Sequence, residues 1–206
     1  MTTPRWVDWA QRIQALAQSG LFYTTNPFDR ERYEQLQHIA AEMMAAGTGV
    51  EQEQIQAFFD QQSGYTTPKI DIRGVVFKDD RILLVKELVD GGWTLPGGWV
   101  DVNEPPSHAV EREVWEESGY QVKATKLLAL YDRNQHGHPP YIFHTYKLYF
   151  LCDLIGGDAT TSVETGGAEF FARDALPVLS VQRTTPQVLD RMFALRLQPD
   201  APTDFD

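Results

Sequence analysis

Cysteine is almost missing from this chain. Cys152 stands alone, so no intramolecular disulfide can form, and the composition fits a reducing compartment. It lies in the apolar run Leu148-Tyr149-Phe150-Leu151-Cys152 and reads as a buried strand residue rather than a reactive thiol. Basic residues are also scarce: 18 Lys and Arg stand against 29 Asp and Glu, for a net charge of −11. With no Lys/Arg cluster to offset that balance, general nucleic-acid binding is disfavoured and no DNA partner is expected. No apolar stretch approaches the roughly 20 residues of a membrane span, so no membrane partner is expected either. A basic segment followed by an apolar one is missing at the N-terminus, so the sequence predicts no signal peptide and a cytoplasmic location. An acidic chain still binds anionic substrates where a divalent metal supplies the positive charge.

What is present changes character partway along. In the first sixty or so positions apolar residues recur at helical spacing, as in Trp6, Trp9, Ile13 and Leu16, with Gly20 expected to close that segment. A second helix, capped by Asn26 or Asp29, is expected through Tyr33, Leu36, Ile39 and Met43 to Gly47, and a third from about Glu51 to Gln61. The polar stretch Gln61–Pro68, with Gly64 and Pro68, reads as a linker. Beyond it the period becomes that of strands: Ile70 to Phe77, an Asp79-Asp80 turn, then Ile82 to Val85. A helix from about Pro106 to Ser118 is expected next, then strands near 127–131, 142–154 and 168–171. A helix over about 185–195 precedes an acidic, proline-containing tail. Strands outnumber helices and the connections are too short for repeated βαβ units, which predicts an α+β fold.

The chemistry concentrates in one stretch. Gly98 is followed after five residues by Glu104, then after seven more by Arg112-Glu113-Val114-Trp115-Glu116-Glu117-Ser118-Gly119-Tyr120. On a helix Glu113 lies one turn before Glu116 and Glu117, so three carboxylates converge on one face. Like charges so placed destabilise a bare helix, which makes sense where a cation sits on them. Hard oxygen ligands of this kind suit Mg²⁺, or Mn²⁺. Arg112, one turn before Glu116, is placed to fix a carboxylate of the cluster or to pair with Glu104. Val110 and Val114 supply the docking face, and Gly119 the left-handed stop. In Trp93-Thr-Leu-Pro96-Gly97-Gly98, Pro96 breaks a strand and the glycines admit close backbone approach.

This stretch resembles the Nudix box, with all seven of its fixed identities at the right spacing and Tyr120 in place of a final aliphatic residue. The resemblance implies a Nudix fold, a mixed β-sheet sandwiched between helices, with a small helical N-terminal domain over 1–65 and a catalytic domain over 66–206. It implies Glu113, Glu116, Glu117 and a loop carbonyl at Gly97 as metal ligands. Arg112 and Glu113 enter the catalytic set with Glu164, whose loop Ser162-Val-Glu164-Thr-Gly-Gly167 is able to swing a carboxylate over the site. Glu113 and Glu164 both stand as candidates for the general base. Further segments are similar to one Nudix branch: Asp71-Ile-Arg73-Gly-Val-Val-Phe, Tyr131 to Pro140, His144 to Lys147, Gly20-Leu-Phe-Tyr and Phe28 to Tyr33. That branch acts on nucleoside diphosphates joined to another group, such as ADP-ribose or CDP-choline.

Arg73 in an apolar strand must be paired, either with substrate phosphate or with an acid such as Asp71. Arg133 and His138, in a proline-rich loop, are expected to touch substrate, whereas His136 and His144 read as structural. Trp93 and Trp99 either stack on a base or pack. The small-molecule substrate is then a nucleoside diphosphate derivative cleaved by water at the P–O–P bridge. Rivals are a nucleoside triphosphate pyrophosphohydrolase and a nucleotide-binding regulator with a degenerate box, the latter opposed by the intact glutamates. Trp6, Trp9, Tyr33, Phe58 and Phe59 exceed what three short helices bury among themselves, which predicts a homodimer to which these helices contribute.

Overall fold

The structure, a computed structural model, describes residues 4–206. The first three residues of the expected helical domain, at the N-terminus where no signal peptide is expected, lie outside the described residues. The chain forms two compact units, one of residues up to Lys69 with Pro139–His144, the other of Ile70–His138 and Thr145–Asp206.

The helical unit contains α1 (Arg5–Tyr23), α2 (Pro27–Thr48) and α3 (Gln52–Asp60). Val7, Ala10, Ala40, Ala41, Met44, Ile55 and Phe59 make its core. Asn26 is the residue that caps α2: its side chain accepts hydrogen bonds from the backbone N–H of Phe28 and Asp29. Gly20 does not close α1 as expected, because α1 runs through it to Tyr23. A Cβ there would lie 2.4 Å from the Tyr33 ring, so this glycine admits a close ring contact rather than ending the helix. Both long helices carry a second apolar stripe opposite the buried one. Trp9, Leu16 and Tyr23, seven residues apart on α1, are exposed, as are Phe28, Leu36 and Ile39 on α2.

The other unit is built on a seven-stranded sheet of order β3-β2-β1-β5-β4-β7, with β6 paired to β2. Its strands are β1 (Lys69–Lys78), β2 (Arg81–Glu87), β3 (Trp93–Thr94), β4 (Tyr120–Asp132), β5 (Thr145–Gly157), β6 (Thr165–Phe171) and β7 (Asp204–Phe205). Most pairings are antiparallel, while β7 runs parallel to β4, which makes the sheet mixed. One face is covered by α4 (Pro106–Ser118) and the other by α5 (Pro186–Arg196). Alternation along the strands assigns the faces. Ile72 and Val76 of β1 pack with Ala109, Val110 and Val114 of α4, whereas Val75 packs with Val188, Leu189 and Met192 of α5.

Two expectations are corrected. Strand β4 begins at Tyr120, directly after the α4 stop at Gly119, seven residues before the expected start. Strand β5 begins at Thr145 rather than 142, and Ile142 instead joins the helical unit's core. The acidic tail supplies a strand the sequence did not announce: β7 pairs Asp204 with Ala129 and Phe205 with Leu130. Lys126 holds the carbonyls of Pro199 and Ala201 at 2.7 and 2.5 Å, and Arg191 meets Asp204 at 2.6 Å.

Candidate active site

Helix α4 carries the acidic stripe. Arg112 sits at its centre and grips Glu104 at two points, 2.9 and 2.8 Å, while its remaining terminal nitrogen reaches Glu113 at 2.8 Å and Glu116 at 2.9 Å. The two alternatives for Arg112 are therefore both realised, and one guanidinium positions three carboxylates. Those hydrogen bonds, Glu104 foremost, push the guanidinium's pKa further up.

Glu117 is different. It is only 8% exposed and takes one hydrogen bond, from the backbone N–H of Gly97 at 2.9 Å. Burial pushes its carboxyl up to about 7, against the pull of Arg73 and Gly97 N–H and with the push of Glu113 and Glu87. Burial likewise raises the Glu113 carboxyl, with Arg112 opposing. The glycine loop fits against this stripe because it lacks side chains. A Cβ at Gly98 would stand 3.1 Å from a Glu113 oxygen, and Gly97 has φ 138°, where an L side chain is strained.

Glu164 lies in the loop ahead of β6, and its backbone carbonyl accepts from Leu88 N–H at 3.1 Å. The next residue, Thr165, donates its hydroxyl to the Glu117 carbonyl at 2.6 Å, which brings the loop to the end of α4. The expected swinging Thr-Gly-Gly segment is not a loop, because Thr165, Gly166 and Gly167 belong to β6, where Thr165 and Ala168 pair with Glu87 and Val85 of β2 and the two glycines fall in the register shift between them.

On the α5 side of the sheet lies a second polar group. Arg73, 4% exposed, pairs with Asp71 at 2.9 and 2.7 Å and donates to the Leu95 carbonyl at 3.0 Å. The Asp71 partner expected for Arg73 is realised. Lys147 of β5 reaches the same Asp71 at 2.6 Å. Burial pushes the Lys147 ammonium down to about 7, with Asp71 opposing and Arg73 adding to the fall. Burial alone would raise the Asp71 carboxyl, but the two cations outweigh it and hold it well below the usual range. Arg133 donates to Gln182, at 2.6 Å to the side chain and 3.2 Å to the carbonyl, and His138 Nδ1 lies 3.0 Å from the Val181 carbonyl. His136 stacks on Tyr131 at 3.8 Å and meets Asp206 at 2.8 Å, a structural placement. Trp93 packs on Phe171 at 4.8 Å, while Trp99 remains partly exposed.

Sequence reasoning missed Glu87, buried at the end of β2 and paired with Arg183 at 2.8 Å, and it gave no role to Lys147 or Tyr149. For Lys147 a signal existed: it falls in phase with Tyr149 on an apolar strand, where an ionisable side chain is forced inward.

Among the described residues no three His, Cys, Asp or Glu side chains stand ready-made around a metal position. The donor chemistry nonetheless fits a hard divalent cation. Glu113 and Glu116 are turned to Arg112, but among the described residues buried Glu117 has no cationic side chain bonded to it and faces the charge of Glu113 and Glu87.

No helix is long and apolar enough to cross a membrane, among the described residues. Comparison with known proteins gives two family matches: a UDP-X-like N-terminal oligomerisation domain over residues 4–59 and a NUDIX domain over residues 67–192. A putative ADP-ribose pyrophosphatase of Bacillus subtilis is 43% identical over 98% of this chain and 97% of its own length. An ADP-ribose pyrophosphatase of Methanocaldococcus jannaschii is 35% identical over 56% of this chain and 69% of its own. Among solved structures, a UDP-X diphosphatase superposes with a TM-score of 0.64 at 32% identity, covering 100% of both chains. An ADP-ribose pyrophosphatase from Streptococcus suis gives 0.62 at 38% identity over 68% of this chain and 100% of its own. The Arg112-centred helix, the glycine loop and the sheet that carries them are those of a known enzyme family, and the chain belongs to the Nudix hydrolases.

Proposed function

We propose that this enzyme uses Mg²⁺, with Mn²⁺ able to replace it, to hydrolyse the P–O–P bridge of a nucleoside diphosphate joined to a second moiety. ADP-ribose and CDP-choline are substrates of this kind, and the products are a nucleoside monophosphate and the phosphorylated moiety. The observation that carries the reading is Glu117, a buried carboxylate with one N–H partner and two acidic neighbours. The likeness to a putative ADP-ribose pyrophosphatase of Bacillus and to a UDP-X diphosphatase supports a diphosphate derivative over a triphosphate.

Nudix hydrolases as a rule use divalent cations. In this reading Glu113, Glu116, Glu117 and the Gly97 carbonyl would hold the cation, whose hard oxygen donors favour Mg²⁺. When bound, it neutralises phosphate oxygens and lowers the pKa of the attacking water. Arg112 orients Glu113 and Glu116 and spaces them from Glu104. Glu164 takes the proton of the attacking water: it is exposed and has no side-chain partner among the described residues, whereas Glu113 is bound to Arg112. Arg73, Arg133 and His138 form the substrate-binding side, next to the loop that supplies Gly97.

The helical domain, 1–65, is proposed to pair two copies of the chain, and the catalytic domain is 66–206. The exposed stripes of α1 and α2 and the match to an oligomerisation domain support a homodimer. The lone cysteine supports a cytoplasmic location. Turnover of ADP-ribose in EDTA tests the function: activity is lost there, and Mg²⁺ or Mn²⁺ restores it. Restoration by Zn²⁺ alone would overturn the oxygen-ligand assignment.

A further inference from the structure

Strand alternation turns Asp71 and Arg73 of β1, and Lys147 and Tyr149 of its neighbour β5, toward the same α5 side of the sheet. All four are buried, with Lys147 2% and Tyr149 0% exposed. Their hydrogen bonding is incomplete. The Lys147 ammonium has three N–H donors and, among the described residues, one bonded acceptor, Asp71. Among the described residues the Tyr149 hydroxyl and His138 Nε2 have no hydrogen-bond partner, and His138 is 5% exposed. Buried polar atoms are rarely left so, because each loses its water without gaining a replacement. Three such groups on one side of the sheet point to something that completes them.

Their chemistry restricts the occupant. A carbonyl accepts only, so the contact with the Val181 carbonyl fixes the His138 proton on Nδ1 and leaves Nε2 as an acceptor. Burial holds this imidazole neutral, down at about 3. A phosphate, which only accepts, would meet the Nε2 lone pair unfavourably. A quaternary ammonium offers no hydrogen bond and would sit beside the Lys147 and Arg73 charges. A neutral group with adjacent acceptor and donor atoms satisfies all three, its oxygen accepting from Lys147 and Tyr149 while its O–H or N–H donates to Nε2. Arg73 links this cluster to the acidic site, since it donates to Leu95, two residues before Gly97.

We infer that Lys147, Tyr149 and His138 form a recognition site for a neutral hydrogen-bonding group of the substrate, a sugar hydroxyl or the edge of a base, and that the site disfavours a quaternary ammonium there. The inference rests on the proposed diphosphate hydrolysis.

Tyr149→Phe tests it, since the change removes one buried oxygen and keeps the ring. Steady-state kinetics with Mg²⁺ on ADP-glucose, UDP-glucose and CDP-choline compare the variant with the parent, and melting temperatures are read alongside. The expected result is a rise in KM of about fivefold to tenfold for the glucose-linked substrates, a matching fall in their kcat/KM relative to CDP-choline, and a Tm equal to or above the parent's. Equal effects on the two glucose substrates assign the site to a sugar, and an effect following the base assigns it to the base edge. A Tm at or above the parent's with unchanged KM on all three overturns the proposal, and so does an equal loss on all three with a lowered Tm. Should the parent hydrolyse none of them, the diphosphate reading fails instead. Calorimetric binding of ADP-glucose in Ca²⁺ then still compares parent and variant, and equal affinity, or no binding by either, overturns the recognition site.

Discussion

Arg112 holds Glu104 in a two-point ion pair, at 2.9 and 2.8 Å, and with its remaining terminal nitrogen holds Glu113 and Glu116. A planar five-donor fork does this, and a lysine, with a single ammonium, does not. Arg112→Lys is expected to keep the fold and the charge but lower kcat by about tenfold to a hundredfold, a loss of about 1.4–3 kcal/mol of transition-state stabilisation. Steady-state kinetics on a hydrolysed diphosphate check this, and parental kcat would deny Arg112 its positioning role.

Glu117 is expected to make stability depend on pH and metal together. Its carboxyl is pushed up to about 7 by burial, from 4.5, so folding favours the protonated acid. That contribution is present in full below the unfolded value and is lost as pH rises through about 7. In EDTA the melting temperature of the parent should therefore fall, relative to Glu117→Gln, between pH 5 and pH 7.5. The cation needs the charged form, so stabilisation by Mg²⁺ should grow across the same window and be smaller in Glu117→Gln. The variant should also lose at least about a hundredfold in kcat. Thermal scans at several pH values, with and without Mg²⁺, read this directly. Parallel curves for parent and variant would remove Glu117 from the metal site.

The C-terminal strand predicts a stability effect far from the acidic helix. Asp204 receives both Arg191 and the Tyr131 hydroxyl, and Asp206 receives the Asp132 N–H at 2.6 Å and pairs with His136. Ending the chain after Leu197 removes these contacts and exposes the β4 edge. The expected loss is about 2 kcal/mol, or a Tm lower by about 4–8 °C, on the scale of a domain this size. A Tm within a degree of the parent's would show that the strand contributes nothing.

How much of this was legible beforehand follows from where each signal resides. The acidic stripe was readable because helical period alone puts Glu113, Glu116 and Glu117 together, and α4 has the expected bounds, Pro106–Ser118. Both partners offered for Arg112 proved real, since i,i+4 spacing reaches Glu116 and the loop returns Glu104. Contacts remote in sequence were not legible. Lys147 lies 76 residues from Asp71, and nothing local announces that pair. The strand in the acidic tail was not legible because Asp and Pro are poor strand formers, yet pairing with β4 and the Arg191 bond outweigh that propensity. Gly20 was misread because a glycine in a helix marks either a stop or a close contact, and only the Tyr33 ring decides which.

For the helical domain, the stripes Trp9-Leu16-Tyr23 and Phe28-Leu36-Ile39 predict association. Sedimentation equilibrium at micromolar concentration should give twice the chain mass, and Leu16→Glu with Ile39→Glu should shift the protein toward monomer. A parent that is strictly monomeric ends this reading.

The central claim is metal-assisted cleavage of a diphosphate bridge between a nucleoside and a second moiety. Its most direct measurement is a panel of ADP-ribose, UDP-glucose, CDP-choline and the four common nucleoside triphosphates, each with Mg²⁺ and again with EDTA. Phosphate release is read after coupling to a phosphatase that acts only on monoesters. The account predicts release from at least one diphosphate derivative, kcat/KM for it at least about tenfold above any triphosphate, and no release in EDTA. Release from triphosphates alone, or release that EDTA leaves intact, would contradict it.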